Sequence, residues 1–253
     1  MKGVTRLCTL VAFVATASAH GANTDELAAT TGRFTLTFTA KELLGEAASE
    51  VEAVIAPDEA ITWEVYVPEG YRADAPPGLL VYISPTRSGR LPYRWNRVMD
   101  ERNLIWIGAN QSGNWVLVRR RILMATLAVL AIERGYVVDR ERFYISGFSG
   151  GGKAATMLAT SNPNLFAGGV FFCGAETSQL ESPGDLEKMQ SNRYVFLTGE
   201  RDTALGESRR ANRAFRKAGV RNTRLMVIRG MGHSTPEYDD LDEAIDFLDT
   251  AAR

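Results

Sequence analysis

The stretch that decides the fold is Phe143-Tyr144-Ile145-Ser146-Gly147-Phe148-Ser149-Gly150-Gly151-Gly152-Lys153. Its first four residues read as a buried strand, and Gly151 to Thr160 reads as a helix ending before Pro163. Two motifs overlap in the turn between them. The first is Gly-x-Ser-x-Gly, with Gly147, Ser149 and Gly151. A turn this tight has no room for side chains two residues before or after the serine, and it lifts the hydroxyl above the sheet edge. The helix that follows points its free amides and positive end at the same place. The second is Gly-x-x-x-x-Gly-Lys, with Gly147, Gly152 and Lys153, which is most of a phosphate-binding loop. That reading fails at Ala154, where Ser or Thr is needed to hold magnesium, and no strand ends in a clear Walker-B aspartate. A tight strand-to-helix crossover with no chemistry is the bland alternative, and the rest of the chain has to decide between them.

Outward from this turn, strands and helices alternate. Phe34–Thr39 alternates apolar and polar residues with period two, the mark of a half-buried strand. Ile61–Val67, Leu79–Ile83 and Leu104–Gly108 read as strands, with a helix over Trp95–Arg102. A long helix is expected over Arg119–Arg134, capped by Gly135. Val170–Cys173, Tyr194–Leu197 and Arg224–Ile228 complete the strands. Helices are expected over Glu207–Lys217 and from Thr235-Pro236 to about Asp249. The order predicts one α/β domain, a mostly parallel sheet covered on both faces. The twenty residues between Cys173 and Tyr194 leave room for a loop and a short helix, not a cap domain.

An acid and then a histidine follow the serine, each after a strand. Tyr194–Leu197 runs into Thr198-Gly199-Glu200-Arg201-Asp202, and Arg224–Ile228 runs into Arg229-Gly230-Met231-Gly232-His233. Both loops fall at strand ends, where open α/β sheets place function. Asp202 is preferred over Glu200 as the acid by its position in the loop. Asp239, Asp240 and Asp242 lie beyond the histidine and read as the acidic first turn of the last helix.

The chain has 253 residues, net charge −1, two cysteines and two histidines. Near-neutral charge leaves no basic footprint for nucleic acid, and 45% apolar content excludes disorder. Lys2 and Arg6, the apolar run Leu7–Ala17 and the small residues Ala17-Ser18-Ala19 read as a signal peptide over residues 1–19. The expectation is export to the periplasm or beyond, with no stable membrane insertion after cleavage. Residues 20–33 are then a flexible segment, and 34–253 form a single domain. Cleavage leaves net charge −3, Cys173 as the one cysteine, and His233 as the histidine available for chemistry, since His20 falls at the cut. Cys173 in an apolar strand reads as an inert core thiol. One histidine gives no metal-ligand cluster, so neither metal nor other cofactor is expected.

The run Trp63-Glu64-Val65-Tyr66-Val67-Pro68-Glu69-Gly70-Tyr71 resembles secreted α/β-hydrolases related to polyhydroxybutyrate depolymerases and feruloyl esterases. So do residues 139–152, Asn162-Pro163-Asn164-Leu165-Phe166-Ala167-Gly168-Gly169 and residues 198–202. The resemblance spans about residues 60–250 and implies an α/β-hydrolase fold. It also implies carboxylic-ester chemistry on a small-molecule or polymer ester, with Ser149, Asp202 and His233 as the triad. One departure stands out. The family carries His-Gly after the third core strand, where a backbone amide helps form the oxyanion hole. This chain has Ser84-Pro85-Thr86, and Pro85 has no amide hydrogen. Elbow geometry assigns Gly150 as one oxyanion donor, and Thr86 is the expected other. Tyr93, Trp95 and Trp115 are candidate substrate contacts, and Arg119-Arg120-Arg121 reads as a solvated helix start. A non-catalytic binding protein on this fold, or a peptidase or acyltransferase sharing the triad, are the alternatives. Oligomeric state is not written in the sequence.

Overall fold

Ladder hydrogen bonds join eight strands into one sheet: β1 (Gly32–Thr39), β2 (Ala60–Val67), β3 (Gly78–Ile83), β4 (Leu104–Ala109), β5 (Phe143–Phe148), β6 (Gly168–Phe172), β7 (Arg193–Gly199) and β8 (Thr223–Ile228). This computed structural model describes residues 30–250, so the expected signal peptide lies outside the described residues. The spatial order is β1-β2-β4-β3-β5-β6-β7-β8. β1 and β2 run antiparallel at one edge, and every pair from β4 to β8 is parallel. The domain begins earlier than expected. Residues 32–33 belong to β1, because Gly32 and Arg33 pair with Val67 and Tyr66.

The parallel strands are apolar on both faces, as helices on both sides require. Leu79, Val81 and Ile83 of β3 face one core, and Leu80 and Tyr82 the other. Among the described residues, five helices bury side chains on the first face: α1 (Ala40–Leu44), α3 (Val118–Glu133), α4 (Gly150–Ser161), α5 (Leu186–Ser191, through Met189) and α6 (Leu205–Lys217). Two cover the second: α2 (Trp95–Glu101) and α7 (Tyr238–Asp249). α7 buries Leu241, Ala244, Ile245 and Leu248, a spacing that puts all four on one stripe. Arg102, just past α2, takes both Asp242 oxygens at 2.6 Å and Asp246 at 2.8 Å, which fixes α7 against the sheet.

Two expectations about helices need correction. The last helix starts at Tyr238 rather than after Thr235, because the Trp95 indole N–H holds the Pro236 carbonyl at 3.0 Å. The triple arginine is not a solvated helix start. Arg120 pairs with Glu59, and Arg121 is only 5% exposed. α5 (Leu186–Ser191) is the short helix that the segment before β7 had room for. No helix among the described residues is long and apolar enough to cross a membrane.

Candidate active site

The elbow forms because its glycines let three backbones touch. A Cβ on Gly147 would overlap the Gly151 carbonyl group, and a Cβ on Gly151 would overlap the Ile83 carbonyl oxygen at the end of β3. α4 therefore starts directly on the sheet edge. Ser149 sits at the apex with φ +55°, a conformation that costs a non-glycine residue and persists only where its surroundings enforce it. Its amide donates to the Phe172 carbonyl at 2.8 Å, and its carbonyl accepts from the Lys153 amide at 3.2 Å. The Gly150 amide opens α4, where backbone donors have no partner inside the helix.

Three strand ends bring the expected residues together. Ser149 follows β5, Asp202 follows β7 and His233 follows β8. His233 Nε2 lies 2.9 Å from Ser149 Oγ, and Nδ1 lies 2.9 Å from Asp202 Oδ1. An ionised carboxylate only accepts, so Nδ1 carries the proton and donates to Asp202. Nε2 is then the acceptor for the serine hydroxyl. Phe148 packs on the imidazole, with ring centroids 4.9 Å apart. Glu200, the rival acid, is used elsewhere: its carboxylate accepts the Gly230 amide at 3.0 Å and braces the loop that carries His233.

Asp202 is buried and well supplied with donors. Its Oδ1 also accepts the Ala204 amide at 2.8 Å, and Thr198 Oγ1 lies 3.3 Å from Oδ2. Burial alone would raise its pKa. Hydrogen bonds from Cys173, the Ala204 amide and His233 more than offset this, so the carboxyl stays below its ordinary range.

Cys173 is a neighbour that the sequence placed only in the core. It lies one residue past β6, with φ +54° and a buried side chain. Its thiol reaches the Ser234 carbonyl at 3.5 Å and faces Asp202. Burial, then the adjacent carboxylate, push the thiol up to about 12, so it stays protonated and is no nucleophile. Cys173, Asp202 and His233 have ligand atoms within 4.8 Å of one another. A metal there would have to break the His233–Asp202 bond and strip that reluctant proton.

The loop after β3 makes the opposite wall. Ser84 Oγ accepts the Thr86 amide at 3.1 Å and contacts Thr86 Oγ1 at 3.0 Å. The amide expected to face an oxyanion thus already has a partner, and that bond must break before it can donate elsewhere. With Arg90, Phe148 and His233, this loop lines a cleft of about 450 Å³. Of the three aromatic candidates, Trp95 does not belong to it: only 1% exposed, it lies in the core between Trp106 and Phe172. Its position in α2 turns it inward. Tyr93 is fully on the surface beside Arg94 and lies outside this cleft. Trp115 is exposed, folded over Gly113, with Arg87 5.5 Å from its ring. The neighbouring Asn114 side chain lies against Gly150. Lys153, the phosphate-loop lysine, is held by Glu207 at 2.8 Å.

Sequence reasoning missed Arg121. Its guanidinium reaches the Ser84 carbonyl at 3.0 Å and the Gly150 carbonyl at 3.2 Å. No local signal separates it from Arg119 and Arg120; only the rotation of α3 turns it inward.

A comparison with protein-family models finds no match, and one with curated proteins finds none either. Solved structures do match. A ferulic acid esterase aligns over 87% of this chain and 100% of its own, at 16% identity and TM-score 0.61. The feruloyl esterase module from Clostridium thermocellum aligns over 93% and 95%, at 12% identity and TM-score 0.59. The poly(3-hydroxybutyrate) depolymerase LpqC from Bordetella parapertussis aligns over 92% and 95%, at 18% identity and TM-score 0.58. With the strand order above, these likenesses show that the chain has the α/β-hydrolase fold.

Proposed function

We propose that this chain is an exported serine hydrolase that cleaves carboxylic esters through an acyl-enzyme. The observation that carries the reading is the His233 imidazole, 2.9 Å from both Ser149 Oγ and Asp202 Oδ1. In the first step Ser149 Oγ attacks the acyl carbon while its proton moves to His233 Nε2. Asp202 keeps Nδ1 protonated and stabilises the imidazolium. The negative charge that develops on the acyl oxygen meets the Gly150 amide at the positive end of α4. His233 then returns its proton to the leaving alcohol. Water then attacks the acyl carbon while giving a proton to Nε2, and His233 returns that proton to Ser149 Oγ as the acyl–Oγ bond breaks and the acid leaves. The fold neighbours named as feruloyl esterase and polyhydroxybutyrate depolymerase support an ester as substrate. The short segment before β7 supports an open cleft that accepts a polymer end or a bulky ester. The N-terminal pattern over residues 1–19 supports export.

The test is hydrolysis of short-chain aryl esters together with labelling by a fluorophosphonate. Wild type turns over and labels on Ser149. Ser149→Ala loses the label and about 10⁶-fold in kcat. Equal activity in the two proteins overturns the reading. The engaged Thr86 amide and Pro85 favour one alternative, a binding protein with an incomplete oxyanion site. Wild type that binds esters but never labels would establish it.

A further inference from the structure

Arg121 has a buried positive charge with nothing negative to meet it. Among the described residues, no carboxylate lies within ion-pair distance of its guanidinium. Its Nε has no hydrogen-bond partner at all. Its neighbours in sequence behave ordinarily: Arg119 is exposed, and Arg120 pairs with Glu59 and the Val54 carbonyl. An unpaired buried cation is costly, and apolar residues of similar volume commonly serve stability as well or better. The one thing that this guanidinium does is to join two carbonyls, Ser84 O at 3.0 Å and Gly150 O at 3.2 Å.

Those two carbonyls belong to the two segments that meet beside the cleft. Ser84 ends the β3 side, and Gly150 begins α4 on the elbow side. The two segments already touch, because Gly151 lets α4 rest on the Ile83 carbonyl oxygen. Arg121 closes the same seam with a rigid planar fork. On the elbow side, the Gly150 amide now lies between two pinned carbonyls: Ser149 O held by the Lys153 amide, and Gly150 O held by Arg121. On the β3 side, the fork holds the Ser84–Pro85 peptide, and the Asn114 amide holds the Pro85 carbonyl at 3.0 Å.

We propose that Arg121 is the positioning residue of the oxyanion site. It locks the Gly150 amide against the β3 loop and sets an uncompensated positive charge behind the developing oxyanion. The proposal rests on the serine-hydrolase reading above. It also accounts for a β3 loop whose proline cannot donate: a fixed cation behind the site supplies field where an amide is missing. Lysine replaces it only in part: it keeps the charge, but one ammonium does not present the parallel donors of a guanidinium.

The experiment uses Arg121→Met and Arg121→Lys in the full chain. It measures kcat and KM on an aryl ester, thermal midpoint, and inhibition by an alkyl boronic acid that mimics the tetrahedral adduct. Arg121→Met is expected to lose about 10²-fold in kcat, with KM changed less than about threefold and boronate affinity lowered in step with kcat. Its melting temperature changes little, because relief of the buried charge offsets the two lost carbonyl donors. Arg121→Lys folds, keeps the charge and recovers part of the loss. Folded variants with wild-type kcat and boronate affinity overturn the proposal. So do variants whose activity falls only as their folded fraction falls, with the ratio of boronate Ki to KM unchanged. If Arg121→Met does not fold, Arg121→Lys decides by the same ratio. Wild type that neither hydrolyses esters nor takes the fluorophosphonate overturns the parent reading instead, and Arg121 with it.

Discussion

The two walls of the cleft are built on different principles. The elbow after β5 is specified locally. Gly147 and Gly151 leave space that backbone fills, and Ser149 is forced into its positive φ by that packing. The loop after β3 has one such glycine contact, Gly89 on the Gly108 backbone, and is otherwise specified from elsewhere. Ser84 and Thr86 hydrogen-bond each other, but Gly89 is held by Asn110, Pro85 by Asn114 and Ser84 by Arg121. A wall made by steric exclusion cannot be altered without breaking the fold. A wall made by exchangeable hydrogen bonds can be tuned. The difference locates where the proposed activity would be adjustable on this scaffold.

Substitutions separate the two kinds of wall. Gly151→Val puts a branched side chain into the Ile83 carbonyl and is expected to yield no folded protein, whereas Gly70→Ala, in open space, melts like wild type. Circular dichroism on both variants checks this, and a native-like Gly151→Val would refute local specification. Asp202→Asn leaves the fold intact but allows the wrong imidazole tautomer, and kcat is expected to fall about 10⁴-fold with KM nearly unchanged. Steady-state kinetics on an aryl ester read it out. Ser84→Ala removes the acceptor of the Thr86 amide. Stability drops by about 1 kcal/mol in urea titration. If Thr86 is the second donor, kcat rises about fivefold, the rate equivalent of that bond. An unchanged kcat removes Thr86 from the oxyanion site.

A last effect concerns Cys173 and pH. The folded state holds the thiol proton more tightly than the unfolded chain does, so this group favours folding below about 9 and that contribution is lost as pH rises toward about 12. Over this window wild type is expected to lose stability more steeply than Cys173→Ala, by about 1 kcal/mol per pH unit. Parallel urea titrations of the two proteins measure the difference.

The same contrast explains what the sequence made legible. The elbow, the alternation of strand and helix, and the Ser-Asp-His order all rest on local spacing. The elbow is read from residues within a few positions of one another, and the Ser-Asp-His order from three strand-end loops, each read by itself. Asp202 and His233 were found because each follows a strand, and strand ends share one edge. Arg121 was not legible, because three consecutive arginines look alike until the phase of α3 against the sheet is known. Trp95 misled for a similar reason: its indole is claimed by Pro236, 141 positions away. Cys173 was correctly placed in the interior, yet its nearness to Asp202 depends on β6 and β7 being neighbours, which the sequence order suggests but does not display.

His233 hangs from β8, and β8 has a neighbour on only one side of the sheet. Ser149 leaves β5, which is flanked by β3 and β6. An edge strand opens at lower free energy than a central one. The proposed triad therefore joins a central strand to an edge strand of the sheet. In rising denaturant the proposed base is expected to leave a serine that is still in place, so that ester turnover falls before the far-UV helix signal does. On the proposed reading, turnover would be a gauge of the scaffold's margin, registering loosening at the rim before the body of the protein gives way.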